Sequence, residues 1–397
     1  MLSPSKPRRI LSSRILSSLL FAATCASTLS AAERTLDLPA ADGLNLKATY
    51  FAAANPGPGV LLLHQCNRRR KVWDGLACQL SAAGVNVLTF DLRGFGESGG
   101  DRFDKLPPEQ VAQLQAHWPS DIDLALQFLE SQPGVQRDVI GIGGASCGVN
   151  NSVQAALRHP EVKSLVLLSG NTDFNGRKFL RQARLPIFFA AADDDEFPLS
   201  VKALQWLYTL TADPEKKFVR YSTGGHGADI FPVHPELPTL ITDWFVTTLI
   251  KTPGHAPVPK DAPPISQDFA ALDLIDQPGG VARASRQLAA ARRHDAKATI
   301  FPEDLVNILG YERLQSGDTK SAVEIMKLNA EAYPDSPNVY DSLSDAYLAD
   351  GQKDQARLNA EKALQLLTTD TTDDEARRNG IKASAEQKLT QLKAPAK

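Results

Sequence analysis

The sequence predicts a three-layer α/β domain with a mostly parallel sheet, followed by an all-α domain. Two observations predict it. From about residue 34 to 250, short apolar runs alternate with amphipathic helical stretches, the pattern of successive βαβ units. Past residue 265 the pattern is wholly helical and repeats with a 34-residue period. Between the two lies TPGHAPVPKDAPPI, residues 252–265. Proline fixes φ and removes amide donors, so this stretch reads as a stiff linker.

Composition narrows the class. The 397 residues are 43% hydrophobic and 22% charged, which excludes a collagen-like, low-complexity or wholly disordered chain. The 43 basic and 46 acidic residues give a net charge of −3, without the basic excess of a nucleic-acid binder. Beyond the N-terminus, no segment offers the ~18 unbroken apolar residues of a membrane span.

The first 32 residues read as a secretory signal peptide. Lys6, Arg8, Arg9 and Arg14 form a basic region, ILSSLLFAATCASTL follows, and Ser30-Ala31-Ala32 offers a small-residue cleavage site. Its removal takes four positive charges and moves the balance from −3 to −7. The expected address is secreted or periplasmic, with no stable membrane span after cleavage. Cys66, Cys78 and Cys147 remain, so an oxidising compartment allows one disulfide.

Strands are expected at Thr35–Leu38, Leu44–Phe51, Val60–His64, Asn86–Asp91, Asp138–Gly143, Ser164–Leu168, Pro186–Ala191 and Lys217–Thr223. Runs such as VLLLH, LVLL and PIFFAAA are apolar on both faces, as in a parallel sheet covered on both sides. The turn-like Ala41-Asp42-Gly43 joins the first two strands, which are expected to pair antiparallel at the sheet edge. Helices are expected near 71–83, 120–132, 148–159, 198–211 and 236–250. Residues 99–119 form an extra segment with a proline-started helix. It is read as a surface element rather than as one lending Phe103 or Trp118 to a binding pocket. Only about 16 residues separate Gly170 from Pro186, too few for a cap domain.

In the helical part, Leu309, Gly317 and Ala322 recur as Leu343, Gly351 and Ala356. Small alanines let paired helices approach, glycine makes the turn within a repeat, and Pro334 marks the boundary between repeats. The pattern resembles tetratricopeptide repeats. Two repeats are few for a solenoid, so helices at 281–294 and about 372–392 are expected to cap them. The expected division is therefore signal peptide 1–32, α/β domain 33–251, linker 252–265 and helical domain 266–397.

The chemistry-bearing string is Gly144-Ala145-Ser146-Cys147-Gly148. It follows a strand and precedes a helix, the context of a nucleophile elbow. A serine hydroxyl is a weak nucleophile and needs a base, which in turn needs an orienting acid. Both groups follow at strand ends: Asp193-Asp194-Asp195 after the PIFFAA run, then Gly224-Gly225-His226-Gly227 after the next strand. His234, eight residues further on, is the rival base.

In combination these features resemble the α/β-hydrolase superfamily, and within it the small dienelactone-hydrolase-like esterases. Asp91-Leu92-Arg93-Gly94-Phe95-Gly96-Glu97-Ser98 is similar to the family's DxRGxGxS turn. His64-Gln65-Cys66-Asn67 occupies the oxyanion-loop position, with Gln65 where the family usually carries glycine. The resemblance implies Ser146 as nucleophile, His226 as base and then acid, and Asp195 as orienting acid, ahead of Asp194 and Asp193. It implies an oxyanion hole from the amides of Cys147 and Cys66, with Gln65 the alternative to Cys66. If both cysteine amides face one oxygen, their α-carbons come within the ~4.4–6.8 Å that a disulfide tolerates. A Cys66–Cys147 bridge is then in reach, two buried thiols being the other outcome. His64 is expected to support the loop.

The expected function is hydrolysis of a small-molecule carboxylic ester through an acyl-enzyme, with no cofactor and no metal. A peptidase or thioesterase uses the same machinery. The competing class is an inactive scaffold that binds a protein or peptide partner through its helical repeats.

Overall fold

The computed structural model describes residues 33–255 and 267–393. The expected signal peptide and most of the proline-rich linker lie outside the described residues. The first part contains β1 (Glu33–Pro39), β2 (Asn45–Phe51), β3 (Gly57–Leu63), α1 (Asp74–Ala82), β4 (Asn86–Phe90), α2 (Pro108–Gln115), α3 (Trp118–Ser131) and β5 (Val135–Ala145). It continues through α4 (Cys147–Arg158), β6 (Val162–Leu168), α5 (Phe174–Leu180), β7 (Ile187–Ala192), α6 (Pro198–Leu210), β8 (Lys216–Tyr221), α7 (Ile230–Val233) and α8 (Glu236–Phe245). The second part is all helical: α9 (Gln267–Ile275), α10 (Gly280–Arg292), α11 (Glu303–Gln315), α12 (Thr319–Ala332), α13 (Pro337–Ala349), α14 (Lys353–Leu367) and α15 (Glu375–Lys393).

The strands form one sheet in the order β1-β2-β4-β3-β5-β6-β7-β8. β1 pairs antiparallel with β2, and β2 with β4; from β4 onward every pairing is parallel. Along β3, Leu61 and Leu63 face one core and Val60 and Leu62 the other. β7 divides the same way, with Ile187, Phe189 and Ala191 opposite Phe188, Ala190 and Ala192. Two apolar faces require two covering layers. α3 and α4 contribute to one, with Leu126, Leu129 and Val153; α1 and α8 contribute to the other, with Leu76, Leu80, Ile241 and Phe245. The parallel strands all end at one edge, and there the functional loops gather.

α5 and α9 lie outside the sequence expectation. α5 occupies the short stretch after β6, and with α6 it forms the seat for the helical part. Ala203 and Trp206 of α6 share a buried cluster with Ala271, Leu272, Leu305 and Leu309. At the centre Arg177, fully buried, donates to both carboxylate oxygens of Asp276 at 2.8 and 2.9 Å and to Glu312 at 2.5 and 3.0 Å. Its guanidinium lies 5.0 Å from the Trp206 ring centroid. Within the helical part, α11–α12 and α13–α14 are successive helix–turn–helix pairs. Gly317 and Gly351 close their turns at φ +80° and +77°, and Ala322 and Ala356 are fully buried between helices. Among the described residues no helix is long and apolar enough to cross a membrane.

Candidate active site

β5 ends at Ala145 and α4 begins at Cys147, so Ser146 alone makes the turn. Its φ of +54° and ψ of −118° are values an L-residue adopts only where its surroundings hold it. Ser146 N–H donates to Leu168 O on β6 at 2.8 Å, and Ser146 C=O accepts from Val149 N–H at 2.9 Å. The flanking glycines are required by space. A Cβ on Gly144 would stand 2.1 Å from the Gly148 carbonyl oxygen, and one on Gly148 would stand 2.4 Å from that of Leu63. The spacing GxSxG is thus the spacing at which β5, α4 and the end of β3 touch.

The three aspartates after β7 have separate partners. Asp193 is paired with Arg220 at 2.6 Å at the surface. Asp194 accepts the Gly225 N–H at 2.8 Å. Asp195, 3% exposed, is the one that meets His226: its two oxygens lie 2.9 and 2.8 Å from Nδ1. A carboxylate only accepts, so Nδ1 carries the proton and Nε2 is left as the acceptor. Asp195 also accepts the Phe197 N–H at 2.8 Å, and the Phe197 ring meets the His226 ring edge-on at 4.8 Å. Ser146 and His226 are not hydrogen-bonded to each other in this geometry. Serine–base contacts of this kind often tighten only around bound substrate. His234 is used elsewhere: it stacks on Tyr221 at 3.8 Å and donates from Nε2 to Thr223 O at 2.7 Å.

Cys66 and Cys147 are joined by a disulfide, with α-carbons 5.9 Å apart. Cys147 is the first residue of α4, so its N–H is among those a helix leaves without an internal partner. The bridge fixes the loop after β3 against the helix that starts at the nucleophile.

Gln65 departs from the expected glycine, and its side chain has a definite task. It is fully buried. Its Nε2 donates to the His226 carbonyl at 3.1 Å, and its Oε1 accepts from the Ala228 N–H at 2.8 Å. Nε2 also lies 3.3 Å from Asp229, which Arg68 holds through two bonds of 2.9 and 2.8 Å. The oxyanion loop and the histidine loop are therefore latched together. Gly227 is the only residue type that fits between them, since its φ is +61° and a Cβ would stand 2.5 Å from Gln65 Oε1. Sequence reasoning missed the roles of Gln65, Arg68 and Asp229. The available signal was an amide side chain at a position where the resemblance calls for none.

Behind the loop sits a buried polar frame. His64 donates from Nδ1 to Gln65 O at 2.9 Å and accepts at Nε2 from Leu92 N–H at 3.0 Å. Both nitrogens are thus occupied by a neutral ring, and burial pushes its pKa below the usual histidine range. Asp91 accepts from Arg70 N–H at 2.7 Å and pairs with the Arg70 guanidinium at 2.5 Å. Arg93 forks onto Asp121 with two bonds of 2.7 Å. The DxRGxGxS turn is a brace. Trp118 is core, at 4% exposure, and Phe103 packs on Phe95 at 4.7 Å.

Residues 58–195 match the family model of the alpha/beta hydrolase fold. Thiohydrolase aneE of Aspergillus aculeatus is 28% identical over 126 residues, covering 32% of this chain and 37% of that protein. An uncharacterized 31.7 kDa protein of the traX-finO intergenic region of Escherichia coli is 32% identical over 110 residues, 28% of this chain and 36% of that protein. The chain thus spans little more than a third of the length of these curated relatives. Among solved structures, a cold-adapted esterase from an Arctic intertidal metagenomic library aligns with 56% of this chain and 97% of its own, at 23% identity and TM-score 0.45. The dienelactone hydrolase of Anabaena variabilis aligns with 55% and 98%, at 19% identity and TM-score 0.43. Sheet order, the strained turn at Ser146 and the match over residues 58–195 agree: the first part of this chain has the alpha/beta hydrolase fold.

Proposed function

We propose that the chain is a serine hydrolase of carboxylic esters, exported from the cytoplasm. The observation that carries the reading is the strained Ser146 turn standing at the same sheet edge as the buried Asp195–His226 pair. In the proposed reaction Ser146 Oγ attacks the ester carbonyl and His226 Nε2 takes its proton. Asp195 holds the ring in the tautomer that makes this possible. The N–H groups of Cys147 and Cys66 donate to the developing oxyanion, each worth on the order of 3 kcal/mol in the transition state. His226 returns the proton to the leaving alcohol. Water then attacks the acyl-enzyme with His226 again as base, and Ser146 is regenerated.

The stretch shared with two thiohydrolases favours thioesters as a second class of acyl donor. Export is supported by the N-terminal sequence pattern and by the Cys66–Cys147 bridge, which suits an oxidising compartment. The helical pairs supply a surface for a protein or peptide partner.

The test is labelling with a fluorophosphonate and mapping of the adduct by mass spectrometry. A stoichiometric adduct on Ser146, absent in Ser146→Ala, is expected. Asp195→Asn should slow labelling by a factor of about 10³ or more, as loss of the orienting acid does in such triads. Asp194→Asn and Asp193→Asn should stay within a fewfold of the parent. A folded protein without adduct would overturn the reading and favour the binding-scaffold alternative.

A further inference from the structure

We infer that the cleft beside the oxyanion loop is a subsite for a carboxylate borne on the acyl part of the substrate, with Arg69 as its main ligand. The inference rests on the ester-hydrolase reading of the same site.

The sequence places four cations in a row, Arg68-Arg69-Arg70-Lys71, directly after the loop that carries Cys66. Such a run is repulsive unless each charge finds a partner, so the partners can be accounted for one by one. Arg70 is buried and held by Asp91, Glu97 and Thr49. Arg68 is held by Asp229 in the latch. Lys71 reaches Glu97 at 3.5 Å. The Arg69 guanidinium has no protein acceptor among the described residues. Its backbone is nonetheless fixed: Arg69 O accepts Val72 N–H at 3.0 Å, and the next residue's N–H is anchored on Asp91 at 2.7 Å. An exposed arginine on a fixed backbone, with its fork unpaired, is suited to binding a carboxylate through two bonds.

The surroundings fit that ligand. Arg69 lines a cleft of about 360 Å³ together with Cys66, Arg68, Phe95, Arg102 and Asp104. Phe95 is a rigid apolar floor, backed by Phe103 at 4.7 Å and Trp118 at 6.2 Å. Arg102 bonds Gly96 O at 3.2 Å and lies 3.6 Å from Asp104, the one carboxylate of the lining. With Arg68 matched by Asp229 and Arg102 by Asp104, the charge of Arg69 is left over. The cleft is therefore amphipathic and net cationic. Cys66 ties it to the reaction centre, since its α-carbon is 5.9 Å from that of Cys147, the neighbour of Ser146. In the inferred pose the acyl chain runs from the oxyanion at the Cys66 amide over Phe95 towards Arg69, all three residues lining the same cleft.

The test compares two 4-nitrophenyl esters of equal chain length, the neutral pentanoate and the hydrogen glutarate, with the full chain. The wild type should show a KM for the glutarate lower by on the order of tenfold at low salt, a gap that shrinks at 0.5 M NaCl. Arg69→Gln should erase the gap while leaving pentanoate turnover within about twofold, and Arg69→Lys should keep part of it. Equal KM values in the wild type, or a gap untouched by Arg69→Gln, would overturn the inference while leaving the esterase reading standing. If neither ester is cleaved and Ser146 is not labelled, the esterase reading fails instead. Calorimetric titration with glutarate then decides the subsite: roughly millimolar binding lost in Arg69→Gln supports it, and equal heats in both proteins overturn it.

Discussion

The side-chain amide of Gln65 donates to the main-chain carbonyl of His226 at 3.1 Å, while its oxygen accepts the N–H of Ala228 at 2.8 Å. One residue of the oxyanion loop thus satisfies two backbone groups of the histidine loop, in a place without solvent. Removing it leaves a buried N–H and a buried C=O unpaired, at about 1–3 kcal/mol for each. Gln65→Ala should keep the fold and slow labelling of Ser146 by about 10- to 100-fold, the equivalent of 1.4–2.8 kcal/mol. Gln65→Glu should be no better. It keeps an acceptor for Ala228 but loses the donor to His226 and faces Asp229, so both labelling rate and melting temperature should fall. Labelling rates like that of the parent in both variants would show that the latch does not hold the histidine.

Much of this arrangement was legible in the sequence, for physical reasons. Strands apolar on both faces announce themselves as continuous runs, and all eight lie within three residues of their expected limits. The elbow is legible because only glycine fits at Gly144 and Gly148. That an aspartate after β7 meets His226 follows from strand order, and the family resemblance singled out Asp195 from its two neighbours. What was not legible depends on side chains meeting across the fold. Nothing local to Gln65 or Asp229 says that residues 161 to 164 positions apart will bond. α5 was missed because FNGRKFL is a short helix whose Arg177 finds its partners only in the tertiary structure. Arg177 is solvated in any reading of its own neighbourhood, and it is buried because a second group of helices closes over it.

The Cys66–Cys147 bridge closes a separation of 81 residues. In the chain-entropy view a loop of that size is worth about 4.5 kcal/mol at most, through restriction of the unfolded state. Reduction and alkylation should lower the melting temperature by on the order of 10 °C. The local effect should appear earlier, below the melting transition, as slower fluorophosphonate labelling. The bridge holds the loop bearing Gln65 and Cys66 against the start of α4, and without it the two amides are no longer fixed on one point. A reduced protein that melts lower but labels at the parent rate would confine the bridge to a global stabilising role.

Arg177 couples the helical part to the nucleophile. Its Nη1 donates to Thr172 O at 2.6 Å, and Thr172 Oγ1 donates to Asn150 of α4 at 2.8 Å, four residues beyond Ser146. The guanidinium also pairs with Asp276, the residue after α9, and with Glu312 of α11. Arg177→Met strands the fully buried Asp276 with only Arg181 at 2.7 Å and Arg313 at 3.9 Å as charge partners. Breaking one side of such a pair costs about 3–5 kcal/mol. Calorimetry should show the parent melting in one transition and Arg177→Met in two, with the helical part released first. Protease cleavage near residues 252–265 should accelerate in parallel. A single transition at the parent temperature would show that the apolar contact around Trp206 suffices to hold the two parts together.

Asp74 gives a pH-dependent prediction. It opens α1, where its Oδ1 is buried without a hydrogen-bond partner. Burial, with the negative charge of Glu33 behind it, pushes its pKa up from 3.8 to about 6, against the pull of Arg70 and Lys71. The folded protein therefore binds this proton more tightly than the unfolded chain does. The stabilisation is complete below pH 3.8 and is lost as pH rises towards 6. Asn cannot ionise and mimics the protonated acid. Asp74→Asn and the parent should melt alike near pH 4, and the variant should be the more stable by pH 7. The group is only partly buried, and an acid at a helix start is itself favourable, so the gain is held down. A gain of about 1 kcal/mol is the expected size. Melting curves at half-unit steps from pH 4 to 8 decide it. A gap that is the same at both ends would mean that the carboxyl is ionised throughout, and that the unpaired oxygen is not under strain from burial.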